Sequence, residues 1–254
     1  MRRPALTFAL AVSLSAPAAA LVGGAPEIPS ATTQPEVMFV GSLGNFCTGT
    51  VIAPTLALTA AHCVGPGADY KLVEAGPDRK PVFKDVAAVA RHPQFSLKTM
   101  LAHRATPDVA LMKLSIAHTG YIAPLMPSRS RVAPGERFVV RGYGAAIRGN
   151  GNSSGRLRAV TLVATGQPGN LQLRLVDPAT GGKAPGLGAC TGDSGAPVYQ
   201  MMPSGYLGLY GVVSWSTGPN ASAGCGGLTG VTPLELYRAW IDEQARRMGG
   251  TIGP

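Results

Sequence analysis

Charge is scarce in this sequence. Asp, Glu, Lys and Arg make up only 14% of its 254 residues, and no block of five like charges occurs. Disordered chains combine high charge with low hydrophobicity, so a composition that is 45% hydrophobic excludes that class. Aromatic residues are also few, at 6%, and are not interleaved with basic runs. The net charge of +9 therefore reads as a solvated basic surface rather than a nucleic-acid interface. There is no Cys-x-x-Cys pair and no His-Glu-x-x-His stretch, so neither common zinc signature is present. No repeat of constant period appears, which sets aside solenoids and propellers. The longest apolar stretch, Ala5 to Leu14, is too short to span a bilayer, and no second candidate exists.

Glycine (34) and proline (22) are abundant. They separate short apolar runs, which is the pattern of strands joined by tight turns. The runs are Glu36–Val40, Thr50–Ile52, Val82–Ala90, Val109–Leu114, Arg137–Val140, Ala159–Ala164, Leu171–Leu175 and Tyr206–Trp215. Residues 115–135 read as a proline-rich linker and 148–156 as a surface loop. One helix is expected, near the C-terminus. Thr232 would cap it, Pro233 would fit its first turn and Glu235 would complete a capping box. Leu234, Tyr237, Ile241 and Met248 would share one face, with Trp240 beside them.

The first twenty residues have the layout of a secretory signal. Arg2 and Arg3 precede the apolar core, and Ala18, Ala19 and Ala20 form an A-x-A cleavage site. The mature chain would start at Leu21 and be secreted or periplasmic, without a membrane anchor. In an oxidising compartment Cys47, Cys63, Cys190 and Cys225 read as two disulfides. Spacing does not choose among the three pairings.

The segment Ala189-Cys190-Thr191-Gly192-Asp193-Ser194-Gly195-Ala196-Pro197 carries a candidate nucleophile. A serine hydroxyl attacks only when a base takes its proton and donors stabilise the oxyanion. Flanking glycines permit a tight turn that aims the Gly192 and Ser194 amides at one point. A base is available in Thr59-Ala60-Ala61-His62-Cys63, and a carboxylate to orient it in Asp108-Val109-Ala110-Leu111. His92, His103 and His118 lack partners at convincing spacing. His103 lies in the loop before Asp108.

These motifs, in the order His, Asp, Ser, resemble the trypsin/chymotrypsin serine proteases. Further matches are Leu21-Val22-Gly23-Gly24, Cys47-Thr-Gly-Thr-Val-Ile, Gly142-Tyr143-Gly144 and Val213-Ser214-Trp215-Ser216. The resemblance spans nearly all of residues 21–247. It implies an all-β fold of two six-stranded antiparallel barrels, about 21–125 and 126–232, followed by a C-terminal helix over about 233–248. It also implies a serine endopeptidase with His62 as base, Asp108 as its orienting acid and Ser194 as nucleophile. Gly192 and Ser194 would form the oxyanion hole. Ser214, Trp215 and Ser216 would pair with the substrate, and Gly188 would lie at the pocket base, where tryptic members carry Asp. A small or medium apolar residue before the scissile bond is therefore expected, with Phe, Tyr or Leu as the alternative. Disulfides Cys47–Cys63 and Cys190–Cys225 are expected, as is an ion pair between the freed Leu21 amine and Asp193. Expected partners are protein or peptide substrates, with a protein inhibitor as another occupant of the cleft, and the chain is expected to be a monomer. No cofactor or metal is expected, since the family's calcium loop is not recognisable around Lys71–Asp78. The rival function is a catalytically dead relative that only binds partners. The sequence also departs from the family. Leu21 stands for the usual Ile and Ser216 for Gly. The long stretch Thr217–Gly224 leaves the register of the pocket's rear wall, Leu228 to Gly230, open.

Overall fold

The computed structural model describes residues 21–29, 33–75, 80–127, 131–166 and 171–253. Residues 1–20, read above as a secretory signal, and Asp78 lie outside the described residues. Among the described residues twelve strands form two closed antiparallel barrels. The first contains β1 (Glu36–Gly41), β2 (Phe46–Ala53), β3 (Leu56–Thr59), β4 (Tyr70–Ala75), β5 (Pro81–Arg91) and β6 (Ala110–Leu114), in the order β1-β2-β3-β6-β5-β4. The second contains β7 (Arg137–Gly142), β8 (Arg158–Ala164), β9 (Leu173–Val176), β10 (Pro197–Met201), β11 (Leu207–Ser216) and β12 (Thr229–Pro233), in the order β10-β11-β12-β9-β8-β7. A short helix, α1 (Leu97–Leu101), interrupts the loop before β6, and α2 (Arg238–Arg247) follows β12.

Each barrel has its own apolar interior. Phe39, Val51, Ala57, Leu72 and Met112 fill the first, and Phe138, Val140, Leu162, Leu175 and Val198 fill the second. A third cluster joins Ile52, Leu58 and Leu111 of the first barrel to Tyr199, Leu209 and Val212 of the second, with Leu234, Ile241 and Ala245 beneath. This shared core explains why β2 and β3 are buried almost throughout instead of alternating: one face looks into the barrel and the other onto its neighbour. β5 has no such neighbour, and it exposes Val82, Phe83 and Val89.

Residues 21–28 precede the first barrel in the chain but pack on the second. Leu21 and Ala25 lie in its core, Val22 bridges to Gly188 and Glu27 bridges to Arg158. The two disulfides are Cys47–Cys63 and Cys190–Cys225. No helix among the described residues is long and apolar enough to cross a membrane.

The start of the C-terminal helix differs from its sequence signature. Thr232 and Pro233 belong to β12, a 3-10 turn covers Glu235–Tyr237, and α2 begins only at Arg238 without a side-chain cap. Pairing of Thr232 with Val212 in the sheet claims the backbone that a cap would need. The apolar face is as expected. Ile241 is fully buried, and Tyr237 packs edge-on and Trp240 tilted against His92, with ring centroids 5.2 and 4.9 Å apart.

Candidate active site

His62 sits in a 3-10 turn, Ala61–Cys63, just past β3, and Asp108 lies just before β6. Antiparallel pairing of Thr59 with Ala110 brings these chain positions to the same end of the first barrel. The Cys47–Cys63 bridge ties the histidine turn to β2. Asp108 is fully buried. A carboxylate so placed needs hydrogen-bond donors, and Asp108 has several. The His62 backbone N–H donates to Oδ1 at 2.9 Å, and Nδ1 and the Ser214 hydroxyl donate to Oδ2 at 2.8 and 2.5 Å. Holding Nδ1 as a donor leaves Nε2 with a free lone pair, ready to accept a proton. Cys47, His62 and Cys63 bring three potential metal-ligand atoms together. Both sulfurs are bonded to each other, so neither is a thiolate that could hold a metal.

Ser194 lies on the second barrel, in the loop between Cys190 and β10. The first barrel clamps this loop. Thr48 on β2 donates from its backbone to the Ser194 carbonyl at 2.9 Å, and from its hydroxyl to the Gly192 carbonyl at 2.8 Å. Gly192 has φ +93° and Gly195 φ +75°, values that favour glycine. A side chain at Gly192 would also meet the Phe46 ring at 2.4 Å, and one at Gly195 would meet the Thr48 carbonyl at 2.4 Å. Among the described residues neither the Gly192 nor the Ser194 N–H has an acceptor. Two adjacent free amides beside a serine are what an oxyanion requires.

Asp193 is fully buried and accepts from the Gly144 and Cys190 amides, each at 2.9 Å. Burial raises its pKa to about 7, against the opposing pull of those amides and the Arg158 charge. No ion pair reaches it among the described residues. Val22, bridged to Gly188, packs with Ala145 and the Cys190–Cys225 bridge on the same side of this loop.

The strand register fixes which residues of β11 and β12 lie opposite one another. Ser216 pairs with Thr229, and Trp215 with Gly230. Thr229 is fully buried, and its Oγ1 accepts from the Ala189 N–H at 3.1 Å. A Cβ placed on Gly188 would lie 3.5 Å from that same oxygen and 3.0 Å from the Gly226 Cα. Gly188, Ser216, Gly226 and Thr229 thus converge. Thr229 lies within the Leu228–Gly230 segment expected to form the rear wall, whose register the long loop before it left open in the sequence. The Arg148 guanidinium presses on Gly226, where a Cβ would meet its Nη2 at 2.2 Å.

The trypsin family profile matches residues 22–241, most of the chain. The chain belongs to the trypsin family. It is 29% identical to a vitellin-degrading protease of Bombyx mori over 238 residues, covering 88% of this chain and 84% of that one. It is 28% identical to trypsin-3 of Salmo salar over 209 residues, covering 78% and 82%. Human heparin binding protein shares the fold at a TM-score of 0.68 and 22% identity, covering 91% of this chain and 99% of the other. Membership in the trypsin family makes the protein a serine-type endopeptidase.

Proposed function

We propose that the enzyme is exported and cleaves peptide bonds through His62, Asp108 and Ser194, after small or medium apolar residues. The observation that supports the triad most is the dry, triply hydrogen-bonded Asp108 carboxylate fixed to His62 Nδ1. In this reading His62 Nε2 takes the Ser194 Oγ proton as the oxygen attacks the scissile carbonyl. The Gly192 and Ser194 amides receive the developing oxyanion. The imidazolium, stabilised by Asp108, returns the proton to the leaving amine as the C–N bond breaks. Water, deprotonated by the same nitrogen, then hydrolyses the ester on Ser194. Nδ1 stays a donor throughout, so Asp108 need not be protonated.

The preference before the scissile bond follows from the wall residues. Thr229 and Ser216 each place a side chain where a wide aromatic pocket needs open space, and Gly188 offers no charge. Export would come from the 1–20 segment, with cleavage after Ala20 releasing Leu21 and no separate pro-segment. A fluorophosphonate probe tests the central assignment. Covalent labelling of the wild-type protein, with none in Ser194→Ala, is expected. Peptide turnover by Ser194→Ala or His62→Ala should fall by about 10⁴ to 10⁶ without loss of fold. Wild-type-like turnover in either variant rules the triad out, and an unlabelled wild type points to the non-catalytic binding protein.

A further inference from the structure

Trp215 is 7% exposed although it lies on β11, the strand expected to pair with the substrate. Its indole lies across Gly230, where a Cβ would collide with ring atoms at 2.1 to 2.5 Å. Gly230 pairs with Trp215 on one side and with Arg174 of β9 on the other. The absent side chain lets the indole lean toward Arg174, whose Cζ is 5.9 Å from the ring centroid. His103 stacks on the same indole at 4.6 Å and 25°, from a left-handed backbone position with φ 53° just after α1. Three strands and a loop thus assemble a cation and two aromatic rings at one place.

Two donors in this cluster are unsatisfied. The Trp215 Nε1–H and the Arg174 Nε–H are both buried, and neither has an acceptor among the described residues. Arg174 also makes no ion pair among the described residues, so its charge beside this indole is uncompensated. The guanidinium charge favours an anionic acceptor over a carbonyl. The surrounding charge agrees. Loop 92–107 carries Lys98, His103 and Arg104 and no acid, and 214–230 carries no acid at all. Segment 171–187 carries Arg174 and Lys183 with one acid, Asp177, which is buried and accepts from Ala179 and Leu187 amides.

We propose that Arg174, Trp215 and His103 form a subsite for a carboxylate side chain of the substrate, two to four residues before the scissile bond. This rests on the endopeptidase reading with β11 as the substrate-pairing strand. The substrate class it names is acidic segments that precede a small apolar cleavage residue.

The test uses fluorogenic peptides with Ala before the scissile bond and Glu, Gln or Lys at each of the second, third and fourth positions before it. Glu should exceed its neutral isostere Gln about tenfold in kcat/KM at one of these positions, the ratio of a partly exposed charge-assisted contact. Arg174→Gln should bring that ratio toward one, and Arg174→Glu should reverse it in favour of Lys. Arg137→Gln, on β7 and separated from β9 by β8, should retain it. Equal cleavage of Glu and Gln peptides at all three positions overturns the subsite, as does an unchanged ratio in Arg174→Gln. The same peptides are titrated against Ser194→Ala by fluorescence anisotropy, which needs no turnover. Tighter binding of the Glu peptide there supports the subsite even if no peptide is cleaved. Equal binding overturns it even if every peptide is cleaved.

Discussion

Single atoms decide the chemistry of this site. The Ser214 hydroxyl, the His62 amide and Nδ1 together leave the Asp108 carboxylate no need of water. Thr229 is the residue whose role the register exposes. It pairs with Ser216, its hydroxyl accepts from the Ala189 amide, and that oxygen lies 3.5 Å from where a Gly188 Cβ would be, the position proposed for the pocket wall. Thr229→Gly should therefore raise kcat/KM for a Phe-containing peptide relative to its Ala counterpart by roughly 10- to 200-fold, the range set by added or removed pocket volume. The comparison is a ratio within one variant, so any loss of folded protein cancels. An unchanged Phe-to-Ala ratio would exclude Thr229 from the pocket.

Elements are held by a core that no single barrel owns. Ile241 of α2 is fully buried among side chains from both barrels, whereas Leu236, just before the helix, is exposed. Ile241→Ala should cost about 2–5 kcal/mol in denaturant unfolding, from lost burial and the cavity left behind. Leu236→Ala should stay within about 0.5 kcal/mol. Equal effects would mean that α2 does not dock through this face. β3, β4, β10 and β12 escape the strand runs read from the sequence, and the physical causes differ. β3 is four residues long, buried throughout and without alternation. β10 begins at Pro197, directly after the serine loop, and β12 carries Gly230 inside and Pro233 at its end. Proline and glycine weaken a local strand signal, and only pairing on both sides compensates: β10 lies between β7 and β11, and β12 between β9 and β11.

At the scale of the whole molecule, the buried Asp193 is the proposed link between Leu21 and the loop that carries Ser194. Its folded pKa, about 7, lies above its ordinary 3.8, so the folded state binds the extra proton between these values. Stability should then fall as pH rises from 3.8 toward 7, by up to ~4 kcal/mol, wherever no cation pairs with the carboxylate. The freed Leu21 amine is the proposed cation, since Leu21 is fully buried and Val22 anchors the segment beside this loop. A chain beginning at Leu21 should outlast its N-acetylated form in thermal unfolding at pH 8. The gap should shrink toward pH 4 as Asp193 protonates, and activity at pH 8 should be lost with the amine. Equal stability and equal activity of the two forms at pH 8 would sever the link.

The motifs around His62, Asp108 and Ser194 were legible in the sequence because each is local. A histidine after an apolar run, an acid at a strand mouth and a serine between glycines need only neighbouring residues to be recognised. The two-barrel architecture and both cysteine pairings came through resemblance to the family, since short strands and four cysteines leave several arrangements open. Register was not legible. Thr229 faces Gly188, and Arg174 reaches Trp215, only because β9, β12 and β11 pair at one offset across a loop of unusual length. A strand's local pattern says which residues share a face, but pairing offsets depend on the partner strands. The helix start moved for the same reason: Thr232 could cap a helix or join a sheet, and the sheet, with a partner waiting in β11, took it.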